Sequence, residues 1–344
     1  MSSASTVREP NGVSTTAAPM LEIRGLSLSI AMPAGRAEIL QDIDLRLEKG
    51  RTIGIVGESG SGKSMLLRSI LGLTPAAATV SGQVLFEGED LAGLPPEKRR
   101  RFLGRHVGIV FQNPMTSLNP VVRIGRQSDE ASRYHLGLGR KEARRRAVEL
   151  LGSVGIPDAE RRVQDYPHQF SGGMRQRIMI AMALACEPEL LVADEATTAL
   201  DVTVQREILD LLGEIQRDRH MTMIVVSHDL GVVAGRTDDV AVMYSGRIVE
   251  QAPTRTLFRD YRHRYTEALL SAIPRVDHEA HARLNAVPGQ PPSLLNRPVG
   301  CPFVPRCGFA VAACAEAHPP TSVGATAAHT YHCYVPVDHQ GSAR

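Results

Sequence analysis

The sequence predicts an α/β core with an antiparallel β region on its N-terminal side and a helical insertion within it, on three observations. Ile53 to Val56 is a short apolar run of the kind that a strand buried on both faces requires, and a glycine-rich loop and a helical pattern (Met65, Leu66, Ser69, Ile70) follow it. Two later apolar runs, Leu190 to Ala193 and Met221 to Val226, end in polar groups, Asp194-Glu195 and Ser227-His228-Asp229. Between them and the loop, Ala143, Ala147, Leu150, Leu151 and Val154 fall at helical spacing with arginines on the opposite side.

The loop is Gly57-Glu58-Ser59-Gly60-Ser61-Gly62-Lys63-Ser64 and fits G-x-x-x-x-G-K-[ST] at all eight positions. Glycines let backbone N–H groups turn inward around an anion, and the following helix adds the positive end of its dipole. Lys63 is expected to reach the β- and γ-phosphates, and the Ser64 hydroxyl to hold Mg²⁺. A chance glycine turn would not come with a buried strand before it and a helix after it. The stretch predicts binding of a nucleoside triphosphate.

Composition sets the bounds. A chain of 344 residues suggests two domains, one of them dominant. With 43% hydrophobic and 22% charged residues the composition is ordinarily globular, and a net charge of +2 gives no footprint for nucleic acid. Only four lysines (Lys49, Lys63, Lys98, Lys141) stand against 35 arginines, so a lysine inside the glycine loop is not background. No apolar run approaches a membrane span and the N-terminus lacks a signal-peptide core, which predicts a soluble, cytoplasmic chain. Five cysteines, four of them after residue 300, fit a local metal site better than a disulfide scaffold.

Residues 1–19 read as a disordered tail. Leu21, Ile23, Leu26, Leu28 and Ile30, then Ile43, Leu45 and Leu47 beyond a turn at Pro33-Ala34-Gly35, read as antiparallel strands. Val80 to Phe86 continues that β region, and His106 to Phe111 is a buried strand ending in Gln112. Arg123 to Phe170 is helical, and its basic run Arg144-Arg145-Arg146 is expected to be a solvated face. Ser171-Gly172-Gly173-Met174 opens an apolar helix. Asp194, at a strand end downstream of the phosphate loop, is where Mg²⁺ coordination is expected, and Glu195 would orient or deprotonate water. A helix over Val204 to Ile215, a hairpin about Ser245-Gly246, a short helix over Tyr261 to Ile273 and a Pro-rich linker at Pro288 to Pro292 complete the order.

The succession of the phosphate loop, Gln112, Ser171-Gly172-Gly173, Asp194-Glu195, Ala199-Leu200-Asp201 and His228 resembles the ATP-binding subunit of ABC transporters. More narrowly, Phe111 to Pro120, Tyr166 to Arg177, Thr197 to Thr203 and Gly300 to Cys307 are similar to the oligopeptide/dipeptide import branch. The resemblance runs from about Leu21 to the C-terminus. It implies a RecA-like P-loop NTPase core, an antiparallel β subdomain, a helical signature subdomain at about 121–185 and a small cysteine-containing C-terminal extension. The expected boundaries are a tail at 1–19, an ATP-binding domain at 20–260 and the extension at 261–344.

What the resemblance implies is a head-to-tail pair of such subunits sandwiching ATP. Each site would take its phosphate loop from one chain and Ser171, Gly172, Gly173 and Met174 from the other. Ser171, at a helix start, suits a γ-phosphate. By the same resemblance Gln112 senses Mg²⁺ and water, Asp201 couples the two sites, and His228 holds the γ-phosphate and attacking water. The partners implied are a second, homologous ATP-binding subunit in a heterodimer, two membrane permeases and, indirectly, an extracytoplasmic substrate-binding protein. The place implied is the cytoplasmic face of the inner membrane, and the task is powering peptide import. Import of nickel or another small solute, and a soluble ABC ATPase without transport, are the alternatives. Two positions depart from the family pattern: Ile30 stands where an aromatic residue stacks on adenine, and Ala196 where proline follows the catalytic glutamate.

Cys301, Cys307, Cys314 and Cys333 lie in a Pro- and Gly-rich segment with little apolar material, so another source of stability is expected there. Their spacing lacks the C-x₂-C hooks typical of zinc sites. The resemblance implies a [4Fe–4S] cluster, with zinc as the alternative, and Cys186 lies outside the set. That cluster is expected to be structural, ordering the extension against its partners, because nothing links the cluster to the nucleotide chemistry.

Overall fold

The computed structural model describes residues 18–112, 117–196, 201–273, 287–295 and 297–339. The chain opens with two long strands, β1 (Leu21–Met32) and β2 (Gly35–Leu47), whose alternating buried positions pair antiparallel. β3 (Thr52–Val56), buried at every position, leads into the glycine loop and α1 (Lys63–Ile70). β4 (Ala78–Phe86) and β5 (Glu89–Asp90) join the first pair in a four-stranded sheet of order β2-β1-β4-β5.

After α2 (Pro96–His106) comes β6 (Val107–Val110), and then the helical insertion. This comprises α3 (Ile124–His135), α4 (Arg140–Ser153), α5 (Ala159–Arg162) and α6 (Gly172–Ala183). The core resumes with β7 (Leu190–Asp194), α7 (Val202–Arg219), β8 (Thr222–Ser227), α8 (Leu230–Val233), β9 (Asp239–Tyr244) and β10 (Arg247–Pro253). α9 (Thr254–Asp260), α10 (Arg264–Ser271), α11 (Ala312–Glu316), β11 (Ser322–Val323) and β12 (Thr330–Tyr331) complete the described chain. The second sheet has the order β11-β12-β10-β9-β3-β8-β7-β6. Its members β6, β7, β8, β3 and β9 run parallel, which is why they read as continuous apolar runs rather than as alternation. This is the α/β core with an antiparallel subdomain and a helical insertion that the sequence predicts.

Three apolar clusters fasten these layers. One joins the four-stranded sheet to β3 and α1 through Leu21, Ile43, Ile53 and Leu66. A second packs the insertion and α7 against the far side of the core through Val110, Ile178, Leu191 and Ile208. A third gathers β9, β10, α9, α10 and the extension around Val242, Tyr244, Tyr265 and Phe303.

The structure departs from the sequence reading in the extension and on α4. The extension shares an aromatic core with β9: Tyr244 and Tyr265 lie 4.5 Å apart by ring centroid, and Phe303 meets them at 5.3 and 5.4 Å. Strand β12 pairs with β10, and the fully buried Glu250 on β10 accepts the Arg262 and His263 N–H groups and meets His329 Nε2 at 2.8 Å. So the segment is stabilised by aromatic packing and a hydrogen-bonded buried carboxylate, sources its composition did not advertise. The arginine run on α4 is also not simply solvated. Arg145 points outward, but Arg144 donates to the Val163 carbonyl at 3.2 Å and Arg146 to the Ala185 carbonyl at 2.8 Å.

Candidate active site

The phosphate loop joins β3 to α1, at the C-terminal end of a central parallel strand, where open α/β sheets bind ligands. Two of its glycines are demanded by geometry. A Cβ on Gly57 would run into the Met243 carbonyl oxygen, and Gly62 caps α1 with a φ of 104°, in the left-handed region. Lys63 is 4% exposed, and its Nζ donates to the Gly57 carbonyl at 2.6 Å and the Glu58 carbonyl at 3.0 Å. Burial lowers its pKa, while Glu195, Asp194 and Glu58 oppose that shift. The ammonium is thus stretched across the loop, close to two carboxylates on a strand separated from β3 by β8.

Those carboxylates sit at the end of β7. Burial and the neighbouring Glu195 raise the pKa of Asp194, and a hydrogen bond with Ser64 works against the rise. Asp194 Oδ1 is buried with no hydrogen-bond partner among the described residues. An orphaned carboxylate oxygen beside the Ser64 hydroxyl fits the oxygen-rich shell that Mg²⁺ takes. Glu195 follows with a φ of 45°, its N–H donating to the Val226 carbonyl at 3.2 Å. That turn directs the carboxylate back over the loop: Gln112 Nε2 donates to Glu195 Oε2 at 2.7 Å, Lys63 Nζ lies 3.8 Å from Oε1, and His228 Nδ1 is 3.9 Å from Oε2. Three residues far apart in sequence therefore meet at one carboxylate. Ala196, buried behind it, leaves the turn in place without the proline.

Ser171 caps α6, its Oγ accepting the Met174 N–H at 3.3 Å, and Asp201 caps α7, accepting the Val204 N–H at 2.9 Å. A Cβ on Gly173 would press on Val204 at 2.8 Å, and Arg162 reaches Met174 Sδ at 3.6 Å. These contacts hold Ser171 to Met174 on the helical insertion and α7, where their own N–H groups form a helix N-terminus. Ile30 lies on β1 opposite Ala37 and Ala78, packed against the first apolar cluster. The motif residues 113–116 and 197–200 lie outside the described residues.

Two residues of this site escape the sequence reading. Arg306 Nη1 and Nη2 donate to both carboxylate oxygens of Glu58, at 2.6 and 2.9 Å, and the Glu58 N–H donates to Tyr265 Oη at 2.9 Å. The extension thus touches the phosphate loop directly, through residues outside the cysteine set.

Cys301, Cys307, Cys314 and Cys333 are free and line one void of about 20 Å³ together with His263 and Phe303. Burial and the neighbouring thiols push Cys301 up to about 11, and burial raises Cys307 and Cys333. Among the described residues no group of three or more His, Cys, Asp or Glu is arranged to hold a metal ion. A void of this size takes about one water, so the thiols depart from the expected formed [4Fe–4S] or zinc site.

Comparison with known proteins agrees with the order of these elements. Residues 40–198 match the ABC transporter family, and residues 249–314 match the oligopeptide/dipeptide transporter C-terminal region. The chain is 45% identical over 300 residues to the oligopeptide transport ATP-binding protein OppD of Salmonella typhimurium, covering 87% of this chain and 89% of that one. It is 46% identical over 297 residues to OppD of Haemophilus influenzae, covering 86% and 91%. Among solved structures, the ATP-binding cassette MJ0796, a dimer in a post-hydrolysis state bound to ADP and Pi, superposes with a TM-score of 0.62 at 26% identity, covering 69% of this chain and 99% of that one. The chain belongs to the ABC transporter ATP-binding proteins, in their oligopeptide/dipeptide branch.

Proposed function

We propose that the chain hydrolyses ATP to drive import of peptides through separate membrane subunits. The observation that carries this is the meeting of Lys63, Gln112 and His228 around Glu195, beside the orphaned Asp194 oxygen. Loop N–H groups and Lys63 bind the triphosphate, and Ser64 and Asp194 would hold Mg²⁺, which would supply charge neutralisation to the phosphates. Glu195 takes the proton of the attacking water, Gln112 fixes the carboxylate that does so, and His228 orients water and the γ-phosphate. Ser171 to Met174 serve the nucleotide held by a second cassette, and Asp201 couples the two sites. The similar proteins are named for oligopeptide transport, which favours peptide over nickel or another small solute. The match to a transporter C-terminal region favours transport over a soluble ATPase without it.

The finer reading is a heterodimer with a homologous ATP-binding subunit, on the cytoplasmic face of the membrane. It is bound to two permeases and served by an extracytoplasmic binding protein. None of the described helices is long and apolar enough to cross a membrane. On this reading the isolated chain is a poor ATPase, and turnover rises when the second cassette and the permeases are added. Ser171→Arg, which puts a bulky cation at the helix start, should abolish that rise while leaving ATP binding by its own loop intact. Full turnover by the monomer, indifferent to Ser171→Arg, would show a site complete within one chain.

The four thiols carry a separate proposal, supported by their convergence on one void: they open to ligate an iron–sulfur cluster or zinc. Anaerobic purification should then give protein containing iron with sulfide, or zinc, and Cys307→Ser should lose it. Folded protein free of both metals would leave the thiols as packing groups.

A further inference from the structure

We infer that Arg306 is a positioning residue of the nucleotide site, acting on the phosphate loop through Glu58. The inference rests on the ATPase reading above and deepens it. Arg306 belongs to the extension, 248 positions beyond Glu58, yet its side chain is only 3% exposed and grips both Glu58 oxygens. Its other contacts fix the fork from several directions: Nε donates to the Pro288 carbonyl at 2.6 Å, Nη2 to Val287 at 3.2 Å, and Nη1 to Tyr244 Oη at 3.2 Å. A planar guanidinium with its donors engaged this way presents one geometry to the carboxylate.

Glu58 passes that geometry on. Its N–H is held outward by Tyr265 Oη, its side chain by Arg306, and its carbonyl accepts Lys63 Nζ at 3.0 Å and the Ser61 N–H at 3.1 Å. A rotation of the Glu58 peptide therefore moves an acceptor of the phosphate-binding lysine. Charge works in the same direction. Glu58 places a negative group in a loop that must receive a triphosphate, and Arg306 neutralises it. Its side chain is 27% exposed, so the carboxylate has access to water without the arginine. A part-buried ion pair is weak evidence for stability and better evidence for a chosen conformation, here that of the loop.

The test uses the assembled transporter and steady-state ATPase kinetics. Arg306→Gln should raise KM for MgATP by about tenfold, the scale of a hydrogen-bonded charge, with a smaller fall in kcat. Arg306→Lys keeps the charge without the fork and should fall between Arg306→Gln and the native chain. In a Glu58→Gln background the Arg306→Gln effect on KM should shrink to within about twofold, the mark of two residues acting as one unit. An unchanged KM in folded Arg306→Gln overturns the inference, and so does an effect undiminished by Glu58→Gln. Where Arg306→Gln does not fold, Arg306→Lys and Tyr265→Phe carry the test. Both should raise KM, and failure of both to do so overturns it. A native complex with no ATPase activity would instead defeat the ATPase reading itself.

Discussion

Glu195→Gln is expected to leave ATP binding in place while lowering turnover of the assembled transporter by about a hundredfold or more, the scale of general-base loss. The substitution keeps the volume of the side chain, and the amide oxygen can still accept from Gln112, which now bonds Oε2 at 2.7 Å. What disappears is the basic oxygen beside Lys63 and His228. Glu195 is 16% exposed at the side chain and its backbone is held in the left-handed region, which fixes where its carboxylate stands. Asp194, next to it, faces Ser64. Retained ATP on an equilibrium titration, combined with lost phosphate release, is the expected pair of results. Turnover at the native rate would remove Glu195 from the role of base.

The catalytic half of this site was legible because each part has a local signature. A strand buried on both faces reads as an unbroken apolar run, a phosphate loop needs glycines at fixed positions, and a strand ending in carboxylates announces itself. Ile53 to Ser64 and Leu190 to Glu195 show all three. The extension was not legible in the same way, because its contacts are made across more than 200 positions: 207 between Glu58 and Tyr265, and 248 between Glu58 and Arg306. Nothing local distinguishes an arginine that will be 3% exposed from the 34 others in the chain, and Glu250 reads as an ordinary polar residue until His329 is brought against it. The thiols are a different case. Their clustering after residue 300 suggested a ligand set, and the chain also brings three aromatic rings into edge and tilted contact there, which can form a core without one. Spacing reports which residues are available, and packing decides what they do.

Lys63→Ala should weaken ATP binding by about a hundredfold or more, the consequence of removing one partner from a buried, hydrogen-bonded charge arrangement. The lysine bridges two loop carbonyls, Gly57 at 2.6 Å and Glu58 at 3.0 Å, and Glu195 is 3.8 Å away. Without it, both carbonyl oxygens and the carboxylates of Glu195 and Asp194 face an incoming triphosphate without the lysine's charge between them. Burial already lowers the lysine's pKa, and the anionic phosphates of a bound nucleotide would favour its charged form, so binding and charge support each other. Lys63→Arg should not rescue binding, because the side chain is 4% exposed and a planar guanidinium needs more room than an ammonium. The measurement is an equilibrium ATP titration on folded protein, with Glu195→Gln as the variant that still binds. ATP affinity at the native level in Lys63→Ala would place the phosphates somewhere other than the loop between β3 and α1.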